Sequence, residues 1–87
     1  MDLNKLELPL FVRSRTDGDG YNPLGLKGRK KIKDILIDAK VPREEREKIP
    51  VVLDQKGIVW FAGFRIDERV KITENTQKIL HIDYITN

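Results

Sequence analysis

The chain has 87 residues, no cysteine, 36% charged residues and a formal net charge of +3. That length supports one small hydrophobic core, and the lack of cysteine excludes disulfides and thiolate metal sites while fitting a reducing cytoplasm. A charge of this size identifies no partner by itself, so the placement of the cations matters more than their sum.

Leu6, Leu8, Leu10 and Val12 alternate with other residues, which predicts a half-buried strand, and Pro9 puts it at a sheet edge or a bulge. Residues 16–28, "TDGDGYNPLGLKG", hold four glycines and a proline and read as a loop. A helix is expected over about residues 29–39, with Ile32, Ile35, Leu36 and Ala39 turned to the core at helical spacing. "VPREEREKIP" predicts a second, shorter helix, with Pro42 and Glu44–Glu45 at its start, Lys48 at its end and Pro50 stopping it. "VVLDQKGIVWF" reads as two apolar strands joined by a turn through Asp54–Gly57. Phe64 and Ile66, then Leu80, Ile82 and Tyr84, alternate as further strands. The expected architecture is a single domain over residues 1–87 of the α+β class, mostly β, with five or six short antiparallel strands and two helices. The longest apolar run, Ile58 to Phe64, falls far short of the about 20 residues a membrane helix needs, and "MDLNKLELPL" lacks the pattern of a signal peptide. A cytoplasmic chain without membrane contact is expected.

The cations of "LGLKGRKKIKDIL" carry the functional information. The second predicted helix places acids first and a base last, as the helix dipole favours, whereas the first crowds Arg29, Lys30 and Lys31 into its opening turn. At 100° per residue, Arg29, Lys33 and Lys40 fall on one flank with Lys30 somewhat further round, while Asp34, Asp38 and Lys31 fall on the other. Ile37 lies close to the basic flank and needs a covering segment. A basic flank beside a glycine-rich loop suits phosphates, with a solvated helix face as the bland reading.

Other constellations fail on their chemistry. "DGDGYNPLG" has the first spacing of a calcium loop, but Tyr21 replaces one ligand and Gly28 stands where a bidentate Glu is needed. Gly20 and Gly25 have P-loop spacing without the Lys-Ser/Thr that follows. The single histidine, His81, has no partner for a metal or nucleophile site and reads as surface. Trp60 and Phe61 read as core, and Tyr21 is the better candidate to stack on a base or else closes its loop against the core. No catalytic or metal-binding group is expected, and the residues alone read as an anion-binding accessory domain for RNA.

"RTDGDGYNPLGLKGRKKIKDILIDAKVPREEREKIP" followed by "VWFAGFRIDERVKIT" resembles the C-terminal domain of bacterial tRNA(Ile)-lysidine synthetase. The shared elements include Arg15, Gly18–Asp19, Pro23-Leu24-Gly25, Gly28, Lys30–Lys31, Lys33–Asp34, Asp38, Lys40-Val41-Pro42, Arg46, Pro50, and Trp60, Gly63 and Arg65, over about residues 13–80. The resemblance implies a β-sandwich-like domain of unusual topology with two short helices, shared with a domain of phenylalanyl-tRNA synthetase. It further implies a ligase that uses ATP to attach lysine to the wobble cytidine of an isoleucine tRNA. That chemistry belongs to a separate catalytic domain with a Ser-Gly-Gly-x-Asp-Ser loop, which these residues lack, so an excised fragment with no cofactor of its own is expected. The implied role is docking of the tRNA acceptor stem by Arg29, Lys30, Lys31, Lys33 and Lys40, with Arg15, Arg43, Arg46 and Arg65 as secondary contacts. The alternative is a structural module that packs on the catalytic domain or forms a homodimer.

Overall fold

The computed structural model describes residues 1–85. In chain order these hold a 3₁₀ turn (Leu3–Lys5), β1 (Phe11–Ser14), β2 (Gly20–Tyr21), β3 (Lys30–Lys31), α1 (Ile32–Asp38), α2 (Arg43–Arg46), β4 (Pro50–Asp54), β5 (Gly57–Phe61) and a second 3₁₀ turn (Glu68–Val70). The expected class, mostly-β α+β with two short helices, is the one observed. β1, β4 and β5 form one antiparallel sheet in that order, and β2 and β3 form a separate two-stranded ribbon.

β4 and β5 are covered on both faces of the larger sheet, which explains why "VVL" and "IVWF" are continuous apolar runs rather than alternating ones. On one face Val51, Ile58 and Phe61 pack with Tyr21 of β2 and Ile32, Ile35 and Leu36 of α1. On the other, Val52 and Val59 pack with Leu6 and Val70, flanked by Trp60, Leu80 and Ile82. The register slips between Val52 and Leu53, so Val59 is an extra residue on β5 and shares a face with its neighbour Trp60. The predicted turn joins β4 to β5, and Asp54 accepts hydrogen bonds from the amides of Lys56 (2.9 Å) and Gly57 (3.2 Å). Trp60 and Phe61 serve the core as expected, with Trp60 Nε1 donating to the Phe64 carbonyl at 2.9 Å.

Three expectations are corrected. The strand predicted over Leu6–Val12 begins only at Phe11, because Pro9 has no amide to donate; Leu6 is buried while Leu8 and Val12 are 54% and 68% exposed. The segments of Phe64–Ile66 and Leu80–Tyr84 form no strand among the described residues: Ile66 makes an isolated bridge with Trp60, and the residue before the second segment, Ile79, makes one with Asp2. Side-chain alternation holds over part of the second segment, where Leu80 and Ile82 reach the core edge and His81 faces solvent, whereas Tyr84 is exposed and Phe64 and Ile66 pack in different clusters. Thirdly, α1 starts at Ile32 rather than Arg29.

α1 ends in a Schellman arrangement, with the amide of Lys40 bonded to Ile37 and that of Val41 to Leu36, both at 3.0 Å. Lys40 therefore sits at φ 55°, a conformation in which a side chain is strained and glycine is not. Lys40→Gly is expected to raise stability by about 1 kcal/mol. An unchanged or lower urea midpoint at constant m-value would contradict this.

Candidate nucleic-acid interface

The basic segment is extended before it is helical. Tyr21 pairs with Lys30 and Gly20 with Lys31, and the Asp19 carbonyl receives the first helical amide, that of Ile32, at 2.9 Å. Two consecutive residues in a strand point to opposite sides, so Lys30 and Lys31 part company. The expected crowding of Arg29, Lys30 and Lys31 in an opening helical turn is thus overturned: only Lys33 lies in that turn, beside Asp34. The flank assignment changes with it. Lys31, expected with the acids, joins Lys33, whereas Lys30 turns the other way and forms an ion pair with Asp38.

Lys31, Lys33 and Arg15 converge on a cleft of about 280 Å³ walled by the loop Thr16–Asp19. Asp19 on that wall is already engaged: Arg13 donates to it twice (2.8 and 3.1 Å), and the Thr16 amide and hydroxyl donate as well. Chiefly the Arg13 bond holds the Asp19 carboxyl below its ordinary range, against the opposing effect of burial. Arg15 pairs with Glu47 at 3.0 Å, yet its Nε–H is buried without a hydrogen-bond acceptor among the described residues. Lys31 and Lys33 are exposed and take part in no ion pair among the described residues.

Two glycines let arginines lie against the loop. A Cβ at Gly20 would meet the Lys30 carbonyl at 2.9 Å and the Arg29 guanidinium at 3.1 Å. One at Gly25, where φ is already +83°, would meet Arg65 Nη1 at 2.9 Å. Arg65 donates to the Leu24 carbonyl at 2.8 Å and, with Lys30 and Asp38, rims an apolar groove of about 240 Å³ that includes Leu26 and Phe64. Tyr21 is no stacking platform: it is buried, its hydroxyl donates to the Arg65 carbonyl at 2.6 Å, and burial pushes its pKa up to about 12.

The remaining predicted cations are dispersed. Lys40 is exposed at the far end of α1 and Arg43 at the start of α2, while Arg46 is partly buried and donates to the Val41 carbonyl at 3.0 Å. Three cations that the sequence reading passed over, Arg13, Lys56 and Arg69, line a cavity of about 370 Å³ together with Arg29. Their only sequence signal is that Arg13 alternates with Arg15. No group of three or more His, Cys, Asp or Glu residues that could hold a metal occurs among the described residues, and none of their helices is long and apolar enough to cross a membrane.

A family model described as the TilS substrate C-terminal domain matches residues 10–84. The tRNA(Ile)-lysidine synthase of Caldanaerobacter subterraneus subsp. tengcongensis is 48% identical over 83 residues, 95% of this chain and 18% of the relative. That of Clostridium acetobutylicum is 47% identical over 81 residues, covering 93% and 18%. The chain thus spans under a fifth of the length of these curated relatives. A crystal structure of a TilS C-terminal domain superposes with TM-score 0.77 at 39% identity, over 87% of this chain and 58% of that one. An N-terminal fragment of the phenylalanyl-tRNA synthetase β-subunit from Pyrococcus horikoshii shares the fold, with TM-score 0.73 at 18% identity over 87% and 24% of the two chains.

Proposed function

Because the chain belongs to the TilS substrate C-terminal domain family, we propose that it docks tRNA for an enzyme that attaches lysine to an isoleucine tRNA. The observation that carries this reading is the cleft where Arg15, Lys31 and Lys33 meet. Three converging cations complement the phosphate backbone of an RNA duplex. A-form RNA is recognised largely through its backbone and 2′-hydroxyls, because its major groove is too narrow to read. The acceptor stem is the partner duplex in this proposal.

The use of ATP and lysine is assigned to the remainder of the enzyme, along with its cytoplasmic setting. The glycines here shape turns and seat Arg29 and Arg65.

Binding of an isoleucine tRNA transcript to the chain across a potassium chloride series tests the proposal. With about three phosphates neutralised, the slope of log K against log salt is expected near −2 to −3. Binding that is absent, or flat with salt, would overturn it.

A second reading has its own observation. β1 is an edge strand, and Phe11 and Val12 are 51% and 68% exposed on its two sides. Such an edge favours packing against another surface, either the catalytic domain of the same polypeptide or a second copy. Sedimentation of the chain alone and with the remaining enzyme separates these cases from tRNA docking.

A further inference from the structure

We propose that Arg13, Arg29, Lys56 and Arg69 form a second site for an RNA backbone phosphate, reached from the opposite side of the Asp19 wall. This inference rests on the tRNA-docking reading and extends it to residues outside the Lys31–Lys33 cleft.

The geometry of the two braced arginines carries the argument. A guanidinium offers two bidentate edges, the Nη1/Nη2 end and the Nε/Nη2 side. Arg13 gives its end to Asp19 at 2.8 and 3.1 Å. Arg69 gives its end to Asp54 at 2.8 Å through both nitrogens. In each, Nε has no partner among the described residues and is not buried, so it and the second N–H of Nη2 remain on the other edge. Each brace is itself fixed. Asp19 is held by Thr16, and Asp54, whose side chain is fully inaccessible, is held by the amides of Glu7, Lys56 and Gly57. The arginines are consequently pre-positioned, and little side-chain freedom remains to be lost on binding.

The cavity they line, about 370 Å³, is large enough for a phosphate with its ribose. Gly57, with nothing within 4 Å of where a Cβ would stand, forms part of its lining, so an RNA backbone can approach closely there. Four cations and two carboxylates line it, and the carboxylates are occupied: Asp19 as above, and Asp67 by the amides of Asn22 (3.1 Å) and Arg69 (2.8 Å). Lys56 meets Glu7 at 3.5 Å with both side chains more than half exposed, a pairing weak enough for a phosphate to displace. Arg29 lies over Gly20 and spends one N–H on the Gly18 carbonyl at 3.3 Å.

The test measures binding of an isoleucine tRNA transcript by Arg13→Gln/Lys56→Gln and by Lys56→Gln alone, with Lys31→Glu/Lys33→Glu as comparison. The Arg13→Gln/Lys56→Gln variant is expected to bind about tenfold more weakly at 100 mM potassium chloride, with the salt slope reduced by about 0.9. The single Lys56→Gln variant should lose about threefold and about 0.4 in slope, and it carries the test if the double variant loses its near-ultraviolet circular dichroism. Unchanged affinity and slope in the Arg13→Gln/Lys56→Gln and Lys56→Gln variants, with binding lost in Lys31→Glu/Lys33→Glu, would overturn this second site and leave the docking reading standing. No binding by the unaltered chain would overturn both.

Discussion

Asp54→Ala is expected to destabilise the chain by about 3–5 kcal/mol, the magnitude found when one partner of a buried ion pair is removed. Asp54 joins three distant parts of the chain, accepting from the Glu7 amide, the Lys56 and Gly57 amides of its own turn, and both terminal nitrogens of Arg69. Alanine leaves those amides and a partly buried guanidinium without their acceptor. A domain of this size has stability near the lower end of about 5–15 kcal/mol, so much of it is lost. The melting temperature should fall by roughly 15–30 °C at pH 7, followed by far-ultraviolet circular dichroism. A fall under about 5 °C would show that the network is dispensable.

The same residue sets an acid limit. Burial pushes the Asp54 carboxyl up, but the bonds from Arg69 and from the Glu7 and Lys56 amides outweigh it and hold the group well below the usual carboxylate range. A carboxyl whose pKa is lowered by folding contributes fully above its unfolded value, near 4, and loses that contribution as pH falls toward its folded value. Asp19 acts in the same direction. The melting temperature should therefore hold between about pH 7 and 5 and decline below about 4. In Asp54→Asn the decline should be shallower.

Lys31→Glu/Lys33→Glu is expected to weaken tRNA binding by more than about a hundredfold at moderate salt. Each lysine supplies a charge-assisted contact worth about 1.5–3 kcal/mol, and reversal adds repulsion from the phosphates. The fold should survive, because both side chains are in solvent and form no internal ion pair among the described residues. Lys30→Glu provides the contrast. It breaks the pair with Asp38 and sets two carboxylates together, so its effect should appear more in stability than in binding. Equal losses of binding at Lys30 and Lys31 would mean that the strand geometry does not sort these cations.

Local chemistry made much of this molecule readable from residue order alone. The β4–β5 hairpin follows from two apolar runs around an Asp-containing turn, and α2 from Pro42 and its acidic first turn, because turns and caps depend on neighbours a few positions apart. The "RTDGDG…PLGLKGRKK…KVP" segment carried the family by the same local route. Tertiary structure decided where the cations point. Whether residues 29–31 begin a helix or pair as a strand depends on Gly20 and Tyr21 lying alongside, and a change from helical to extended spacing sent Lys30 and Lys31 to opposite sides. Arg13 and Arg69 acquired their roles from Asp19 and Asp54 only once the sheet and loop brought each pair within 3 Å. The physical reason is range: backbone preferences act over a few residues, whereas an ion pair's value depends on the burial and geometry that the folded chain supplies.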